Sequence, residues 1–284
     1  MFSLNDNELL EYIKEDISYF DLTTYIQNSS DKKAKMEIFT REDIVVSCSE
    51  EASRIVELLG CRVDFVIPSK QIVKAGEVIL SFSGDYEKVH QAWRSSQVIL
   101  EYSCKIATFT YEMKQEISEV NKNCELLTTR KTFPFSKKFC IKSIMMGGAM
   151  PHRLGLSETI LFFPHHRVIY ADNNAFYRAI SGFKVKTPEK RIVVETNNFD
   201  DAKELMIYGV DVLQMDKVDI SLLNKIIEYK NQNFPYVKIL AAGGINKTNA
   251  KVFAKSGVDG IVTSGVYSCG MANLGTKISI LLPN

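Results

Sequence analysis

The segment Y-G-V-D-V-L-Q-M-D-K, residues 208–217, decides the fold. Gly209 is the kind of residue that ends a helix, and the apolar run after it has the length of a strand. The same signals return in S-G-V-D-G-I-V-T, residues 256–263, where Gly257 precedes another apolar run. Helices that alternate with nearly continuous apolar strands indicate a parallel sheet whose faces are covered by helices.

Six apolar runs of this kind occur between residues 125 and 268: E-L-L-T-T, E-T-I-L-F-F, R-I-V-V-E-T, V-D-V-L-Q-M-D, V-K-I-L-A-A and V-D-G-I-V-T. Their alternation with helical segments predicts an α/β fold of the βα-barrel type. A complete barrel of the standard type has more strands than this. We therefore expect either a βα barrel or an open version of it.

The part of the chain before this region has a different pattern. Residues 5–17 carry the capping signals and apolar stripe of a helix. Residues 34–83 contain short β-like runs and one helix, residues 50–59, which predicts a strand-rich α+β unit. A long helix is predicted for residues 85–119, with a break near residues 108–110.

Composition excludes several classes of protein. The 35 Lys and Arg residues balance the 34 Asp and Glu residues, which disfavours a nucleic-acid binder that works by bulk charge. No apolar run is long enough to span a bilayer, and the start of the chain lacks a secretory signal, so a cytoplasmic location is expected. The six cysteines include no C-x-x-C pair, which indicates reduced thiols rather than a zinc site.

Polar and glycine residues follow the predicted strands at their carboxyl ends, where the loops of a βα barrel form its active site. These residues are Thr129, Arg130 and Lys131, then Glu195, then Asp216 and Lys217, then A-A-G-G-I at 241–245, and then T-S-G at 263–265. The two glycine-rich ends leave backbone N–H groups available for a phosphate. They predict a phosphate site at the last two loops.

Charged residues at the other strand ends admit more than one interpretation. Glu195 and Asp216 could hold Mg²⁺ through oxygen ligands, or act only as caps or salt-bridge partners. Arg130, Lys131, His152 and Arg153 could bind one anionic ligand as a cationic group, or be solvated loop residues. Together these groups suggest a phosphorylated sugar substrate with Mg²⁺ on a diphosphate.

A Schiff-base aldolase is a further possibility, since Lys131 and Lys217 both follow predicted strands. Neither lysine lies within an apolar strand, where loss of solvent would activate its amine. The sequence therefore disfavours this reaction.

Several motifs resemble those of the quinolinate phosphoribosyltransferase family, also called nicotinate-nucleotide pyrophosphorylase (carboxylating). They are D-L-T-T at 21–24, I-A-T at 106–108, T-R-K-T at 129–132, G-G-A-M-P-H-R-L-G-L-S at 147–157 and A-G-G-I at 242–245. The resemblance covers nearly the whole chain. Within the family, T-R-K-T-F-P and P-H-R-L-G-L-S-E-T are most similar to the ModD branch of pyrophosphorylases, which is associated with molybdenum transport.

The resemblance implies a type II phosphoribosyltransferase, a pentosyltransferase that uses phosphoribosyl diphosphate and Mg²⁺ and releases diphosphate. It implies an N-terminal α/β sandwich domain, residues 1–108, with the tail 270–284 packed back on it, and an incomplete α/β barrel, residues 109–269. It also implies a homodimer, or a higher oligomer, in which the neighbouring subunit completes each active site.

The resemblance further assigns roles to individual residues. Arg94 matches the arginine donated across the dimer, and Lys131 matches the lysine that contacts phosphoribosyl diphosphate. The carboxylates of the acceptor would be bound by Arg130, His152 and Arg153, the ribose and metal by Glu195 and Asp216, and the phosphates by Gly243, Gly244, Ser264 and Gly265.

This chain departs from the family where the acceptor would bind. Phe163 stands where the family usually has a lysine, and Ser268 stands where it has a histidine. An apolar ring at position 163 would leave one carboxylate of quinolinate buried without a partner. The leading hypothesis is therefore transfer of ribose 5-phosphate to a different anionic nitrogen heterocycle.

Two alternatives stay open from the sequence. One is the genuine carboxylating enzyme of NAD biosynthesis, with Lys142 or another cation in place of the lost lysine. The other is a non-catalytic module that binds anions on the same fold.

Overall fold

The computed structural model describes residues 3–27 and 31–282. The helices are α1 (Asp6–Asp16), α2 (Leu22–Ile26), α3 (Ser49–Leu58), α4 (Tyr86–Val120), α5 (Lys137–Met146), α6 (Pro164–Arg167), α7 (Asn173–Lys186), α8 (Phe199–Ile207), α9 (Ile220–Asn233) and α10 (Ala250–Lys255). The strands are β1 (Lys33–Thr40), β2 (Ile44–Val45), β3 (Arg62–Val66), β4 (Ile72–Val73), β5 (Val78–Asp85), β6 (Glu125–Thr128), β7 (Met150–Pro151), β8 (Ile160–Phe162), β9 (Ile192–Thr196), β10 (Val212–Asp216), β11 (Lys238–Ala242), β12 (Gly260–Thr263) and β13 (Leu274–Leu281). Across these residues, no helix is both long and apolar enough to cross a bilayer.

The chain divides into two compact units. The first unit comprises Met1–Glu112, Thr132–Gly148 and Tyr267–Asn284, and the second comprises Met113–Lys131 and Ala149–Val266. Helix α4 begins in the first unit and ends in the second.

The first unit contains a four-stranded sheet in the order β13-β1-β5-β3, whose paired neighbours are antiparallel. Side chains of β1 alternate between buried and more exposed positions, as expected for a strand with one face in a core. The predicted first helix is confirmed, because Asn5 and Glu8 form a reciprocal capping box at the start of α1.

The predicted break in the long helix is wrong. Helix α4 runs without interruption for 35 residues through Thr108 and Thr110. The Thr108 hydroxyl donates to the Cys104 carbonyl oxygen at 2.7 Å, so this β-branched residue is satisfied inside the helix. The same hydroxyl oxygen accepts from the Val45 N–H at 2.9 Å. Tertiary contacts therefore stabilise a helical segment that local propensity disfavours.

The second unit contains a seven-stranded parallel sheet in the order β7-β6-β12-β11-β10-β9-β8. Strands β7 and β8 lie at the two ends of this order and do not pair with each other, so the α/β barrel is open. This confirms the predicted fold class. The sequence predicted six strands for this sheet, one fewer than the seven in the structure. Strand β7 is only two residues long and contains Pro151, so it lacks the apolar run that identifies the other six.

The two G-V-D segments begin strands in the same way. Gly209 and Gly257 both have positive φ, 85° and 91°, directly after helices α8 and α10. Asp211 then accepts a hydrogen bond from the Ile192 N–H at 2.7 Å, and Asp259 accepts one from the Ile239 N–H at 2.9 Å. Each aspartate thus holds the start of its own strand beside the start of a neighbouring strand.

Candidate active site

The carboxyl ends of the parallel strands surround a cavity of about 720 Å³ within the second unit. The predicted site residues that line it are Arg130, Lys131, His152, Arg153, Phe163, Glu195, Asp216, Gly243, Gly244, Ser264 and Gly265. They come from the ends of seven different strands but share one edge of the sheet, as a parallel arrangement requires. The structure therefore brings together all of the predicted site residues except Arg94.

Arg94 lies on α4 in the first unit, where its side chain is exposed and its guanidinium lies 4.7 Å from the centre of the Trp93 ring. Its assigned role depends on a second subunit. That role stays a prediction.

Glu195 and Asp216 form the acidic part of the cavity. They lie on the adjacent strands β9 and β10, where the register places Glu195 opposite Gln214. The Gln214 amide nitrogen donates to Glu195 Oε2 at 2.7 Å. Burial raises the pKa of Glu195, the nearby negative charge of Asp216 raises it further, and the bond from Gln214 opposes both effects.

Gln214 is a site residue that the sequence reasoning missed. Its side chain is only 5% exposed, and its Oε1 atom has no hydrogen-bond partner in the described part of the chain. A buried acceptor without a partner costs about 1–3 kcal/mol. The available signal was a lone amide within the apolar run V-L-Q-M. The hydrogen bond from Gln214 holds the Glu195 carboxylate in position, while the other polar atom of the Gln214 amide, Oε1, stays buried without a partner.

The basic part of the cavity joins two neighbouring strand ends. Arg130 follows β6, and the His152 N–H donates to the Thr128 carbonyl oxygen at 2.9 Å, which places the H-R pair beside that end. Among residues 3–27 and 31–282, neither Arg130 nor Arg153 has a carboxylate partner. Burial and the positive charge of Arg130 lower the pKa of Arg153, an effect that a bound anion would reverse.

His152 differs from the expectation that it acts as a cation. Burial, together with the neighbouring Arg153 charge, lowers the pKa of its imidazole to about 4. The ring is therefore neutral at pH 7 and offers one hydrogen-bond donor and one acceptor. Of the three residues that the resemblance assigned to the carboxylates of the acceptor, Arg130 and Arg153 are therefore the two that carry a positive charge.

Phe163 forms an apolar wall of the cavity beside these arginines. Its ring packs against a buried cluster that includes Leu161 and Val212. The Arg153 guanidinium lies 5.8 Å from the ring centre, and the His166 ring stacks on it at 5.7 Å. These contacts hold the aromatic side chain in one place, so this part of the cavity wall is apolar.

The glycine-rich loops form the third part of the cavity. Gly243 and Gly244 have positive φ values of 82° and 73°. The N–H groups of Gly243, Gly244 and Ser264 have no hydrogen-bond partner among the residues that the structure describes. The Thr263 hydroxyl donates to the Ile245 carbonyl oxygen at 2.6 Å and therefore joins the two loops. Free N–H groups on joined loops suit the binding of a phosphate.

Two lysines from the alternative hypotheses have clear positions. Lys217 is exposed in the cavity rather than buried, which does not favour a Schiff-base reaction. Lys142 lies in the first unit, where its Nζ atom is 2.8 Å from Glu50 and 2.6 Å from Glu51. Its charge is already balanced by these carboxylates, which argues against a role in binding an acceptor.

Two family models match successive parts of this chain. The quinolinate phosphoribosyl transferase N-terminal domain matches residues 21–104, and the C-terminal domain matches residues 106–272. The chain belongs to the quinolinate phosphoribosyltransferase family. It is therefore an enzyme of the type II phosphoribosyltransferase class, and the resemblance that its motifs indicated is confirmed.

Relatives from two branches of this family match over nearly their full lengths. "Putative pyrophosphorylase ModD" of Pasteurella multocida (strain Pm70) is 29% identical over 270 residues, covering 94% of this chain and 95% of the relative. The ModD protein of Escherichia coli O6:H1 is also 29% identical, covering 99% and 98%. The nicotinate-nucleotide pyrophosphorylase (carboxylating) of Dictyostelium discoideum is 25% identical, covering 95% and 93%.

Solved structures of the quinolinate phosphoribosyltransferase family have the same fold. The nicotinate-nucleotide pyrophosphorylase of Francisella tularensis superposes with a TM-score of 0.88 at 20% identity, covering 98% of both chains. NadC from Streptococcus pyogenes superposes with a TM-score of 0.87 at 20% identity, covering 99% of this chain and 100% of that one.

Proposed function

We propose that the protein transfers ribose 5-phosphate from phosphoribosyl diphosphate to a ring nitrogen of an anionic heterocycle other than quinolinate. The observation that carries the proposal is the composition of this cavity. It is lined by two carboxylates, two glycine-rich loops and two guanidinium groups that have no carboxylate partner among the described residues, and an aromatic ring lies beside the guanidinium groups. The first three features suit a sugar phosphate and an anionic acceptor, while the ring limits which acceptor fits.

In this reaction the acceptor nitrogen forms a bond to the anomeric carbon of the ribose as the bond to diphosphate breaks. The glycine-rich loops hold a phosphate of the donor with backbone N–H groups, and Arg130 and Arg153 hold the anionic group of the acceptor. Glu195 and Asp216 stabilise the positive charge that develops at the ribose carbon. Lys131 completes the contacts to the donor.

We infer that Mg²⁺ binds with the donor at Glu195 and Asp216. Within residues 3–27 and 31–282, no group of three or more His, Cys, Asp and Glu side chains could hold a metal ion alone. A pair of carboxylates nevertheless fits Mg²⁺, which is commonly held by one or two carboxylates together with substrate phosphates. When bound, Mg²⁺ would neutralise the leaving diphosphate.

Phe163 supports the exclusion of quinolinate. A carboxylate that faced its ring would lose solvent and gain no cationic partner from position 163, and a buried charge without a partner is costly. His152 does not supply the missing charge, because its imidazole is neutral at pH 7. The acceptor should therefore carry an anionic group for the arginines and an apolar edge for the ring.

One observation favours a second candidate, the carboxylating reaction on quinolinate. Within the described part of the chain, the guanidinium groups of Arg130 and Arg153 have no carboxylate partner, so they offer places for two carboxylates. Formation of nicotinate mononucleotide from quinolinate, phosphoribosyl diphosphate and Mg²⁺ would distinguish this candidate from the first.

The decisive experiment compares the parent protein with Phe163→Lys and, as a control of similar size without charge, Phe163→Met. We expect all three to bind phosphoribosyl diphosphate with Mg²⁺ in calorimetric titrations, and only Phe163→Lys to turn over quinolinate at a rate at least about tenfold higher. Equal quinolinate turnover by the parent and Phe163→Lys would contradict the proposed selectivity. A parent that binds no phosphoribosyl diphosphate would contradict the whole function.

We also propose a cytoplasmic homodimer in which Arg94 enters the neighbouring active site. The exposure of Arg94 on α4 supports this role, because its guanidinium has no carboxylate partner in the described chain. Analytical ultracentrifugation tests the dimer. Mixing Arg94→Ala with Arg130→Ala subunits tests the shared site, since only a mixed dimer can rebuild one intact site.

A further inference from the structure

Lys217 has an unusual backbone conformation at the edge of the cavity. Four non-glycine residues in the described part of the chain have positive φ, namely Cys48, Lys70, Phe135 and Lys217. Of these four, Lys217 is the one that lines the cavity, with a φ of 53°. A left-handed conformation costs a residue with a side chain about 1–2 kcal/mol. Such strain persists where the surrounding structure enforces it, often at a functional site.

Two neighbouring groups hold Lys217 in this conformation. Its N–H donates to the Ala242 carbonyl oxygen at 2.9 Å, which joins the end of β10 to the end of β11. A Cβ atom on Gly243 would lie only 2.5 Å from Lys217 Cγ and 2.7 Å from the Lys217 backbone nitrogen. The missing side chain at Gly243 therefore makes room for the stem of Lys217 against the glycine-rich loop.

The charge of Lys217 is not balanced by the protein. Asp216 precedes it in the chain, yet no ion pair joins the two side chains, and Lys217 Nζ donates no hydrogen bond within the described regions. By contrast, Lys184 and Lys238 lie near the amino ends of the strands, where they pair with Asp211 and Asp259. Among the described residues, Lys217 thus has no anionic partner, and the N–H groups of the neighbouring Gly243 and Gly244 are also unpaired.

We propose that Lys217 is a phosphate-binding residue, whose ammonium group binds the same phosphate as the backbone N–H groups of Gly243 and Gly244. This inference rests on the proposed function, because that function supplies the phosphorylated substrate. A lysine at a phosphate loop acts as a point charge and complements the directional N–H donors. Its place beside Gly243 favours a phosphate as ligand over the carboxylate of the acceptor.

The test uses Lys217→Asn, because asparagine tolerates the left-handed conformation but has no positive charge. Calorimetric titrations would use phosphoribosyl diphosphate with Mg²⁺, ribose 5-phosphate alone, and inorganic diphosphate with Mg²⁺. We expect phosphoribosyl diphosphate to bind roughly 10- to 100-fold more weakly to the variant. If the affinity for ribose 5-phosphate falls by the same factor, Lys217 binds the 5-phosphate. If the affinity for inorganic diphosphate falls by that factor instead, Lys217 binds the leaving group.

Two controls separate binding from folding and from net charge. The melting temperature of Lys217→Asn should equal or exceed that of the parent, because the substitution relieves strain. Lys122→Asn makes the same change of charge at an exposed position outside the cavity and should leave all three affinities unchanged. If the parent binds phosphoribosyl diphosphate and Lys217→Asn binds all three ligands equally well, the inference alone is overturned. If the parent does not bind, the proposed function fails and the inference fails with it.

Discussion

Gly243→Ala is the substitution whose effect the structure defines most closely, and Gly244→Ala is its matched control. Both residues have left-handed φ values, so an added side chain is strained at either position. They differ in the space around them. A Cβ atom on Gly243 would lie 2.5 Å from Asp216 Oδ1 and 2.7 Å from the Lys217 nitrogen, whereas a Cβ atom on Gly244 would meet nothing within 4 Å.

These contacts set the expected magnitudes. The left-handed conformation should cost each variant about 1–2 kcal/mol of folding free energy. The close contacts add about 1–3 kcal/mol to Gly243→Ala alone, since overpacking forces neighbouring atoms to move. One of these neighbours is the Lys217 backbone nitrogen, which a hydrogen bond to Ala242 holds in place, so it cannot yield as a flexible side chain would.

Urea unfolding of the two variants and the parent measures the free energies of unfolding. We expect Gly243→Ala to be less stable than Gly244→Ala by about 1–3 kcal/mol. We also expect it to bind phosphoribosyl diphosphate with Mg²⁺ more weakly, because the new methyl group displaces the Asp216 carboxylate. Equal losses of stability in the two variants would refute the reasoning, since only the contacts at Gly243 distinguish them.

Three further substitutions test other parts of the site and fold. Gln214→Met should leave the melting temperature unchanged or higher, because the substitution removes a buried oxygen that has no partner. It should weaken the binding of phosphoribosyl diphosphate with Mg²⁺ about tenfold in calorimetry, because Glu195 loses its hydrogen-bond donor. Since the pKa of His152 falls to about 4 on folding, the unfolded chain binds its proton more readily, and the melting temperature of the parent should decline as pH falls from 6.5 towards 4. His152→Gln should show a smaller decline. Lys142→Met leaves the buried Glu51 carboxylate without its partner and should cost about 3–5 kcal/mol in urea unfolding.

A specific experimental result would contradict each of these predictions. Gln214→Met with a lower melting temperature and unchanged affinity would mean that the amide serves folding only. Identical pH profiles for the parent and His152→Gln would mean that the imidazole does not titrate as described. For Lys142, the control is Lys138→Met, which removes an exposed pair with Glu8 and should cost less than about 1 kcal/mol. Equal costs for the two lysines would contradict the importance of burial.

Local sequence patterns determined the architecture of the second unit and the content of its cavity. Glycines such as Gly209 and Gly257 end helices through their own backbone freedom, and apolar runs of strand length follow them. Once the strands are known to be parallel, their carboxyl ends must meet at one edge. Residues as distant in sequence as Lys131 and Ser264 could therefore be assigned to one site.

Tertiary structure decided whatever depends on burial, register and contacts between distant residues. The Thr108 hydroxyl has its partner inside α4, so no break forms, and β7 is recognisable only by its pairing with β6. Burial makes His152 neutral, and the register of β9 and β10 brings Gln214 to Glu195. These properties depend on residues from distant parts of the chain. The pattern of residues within one segment does not specify which distant residues will pack against it.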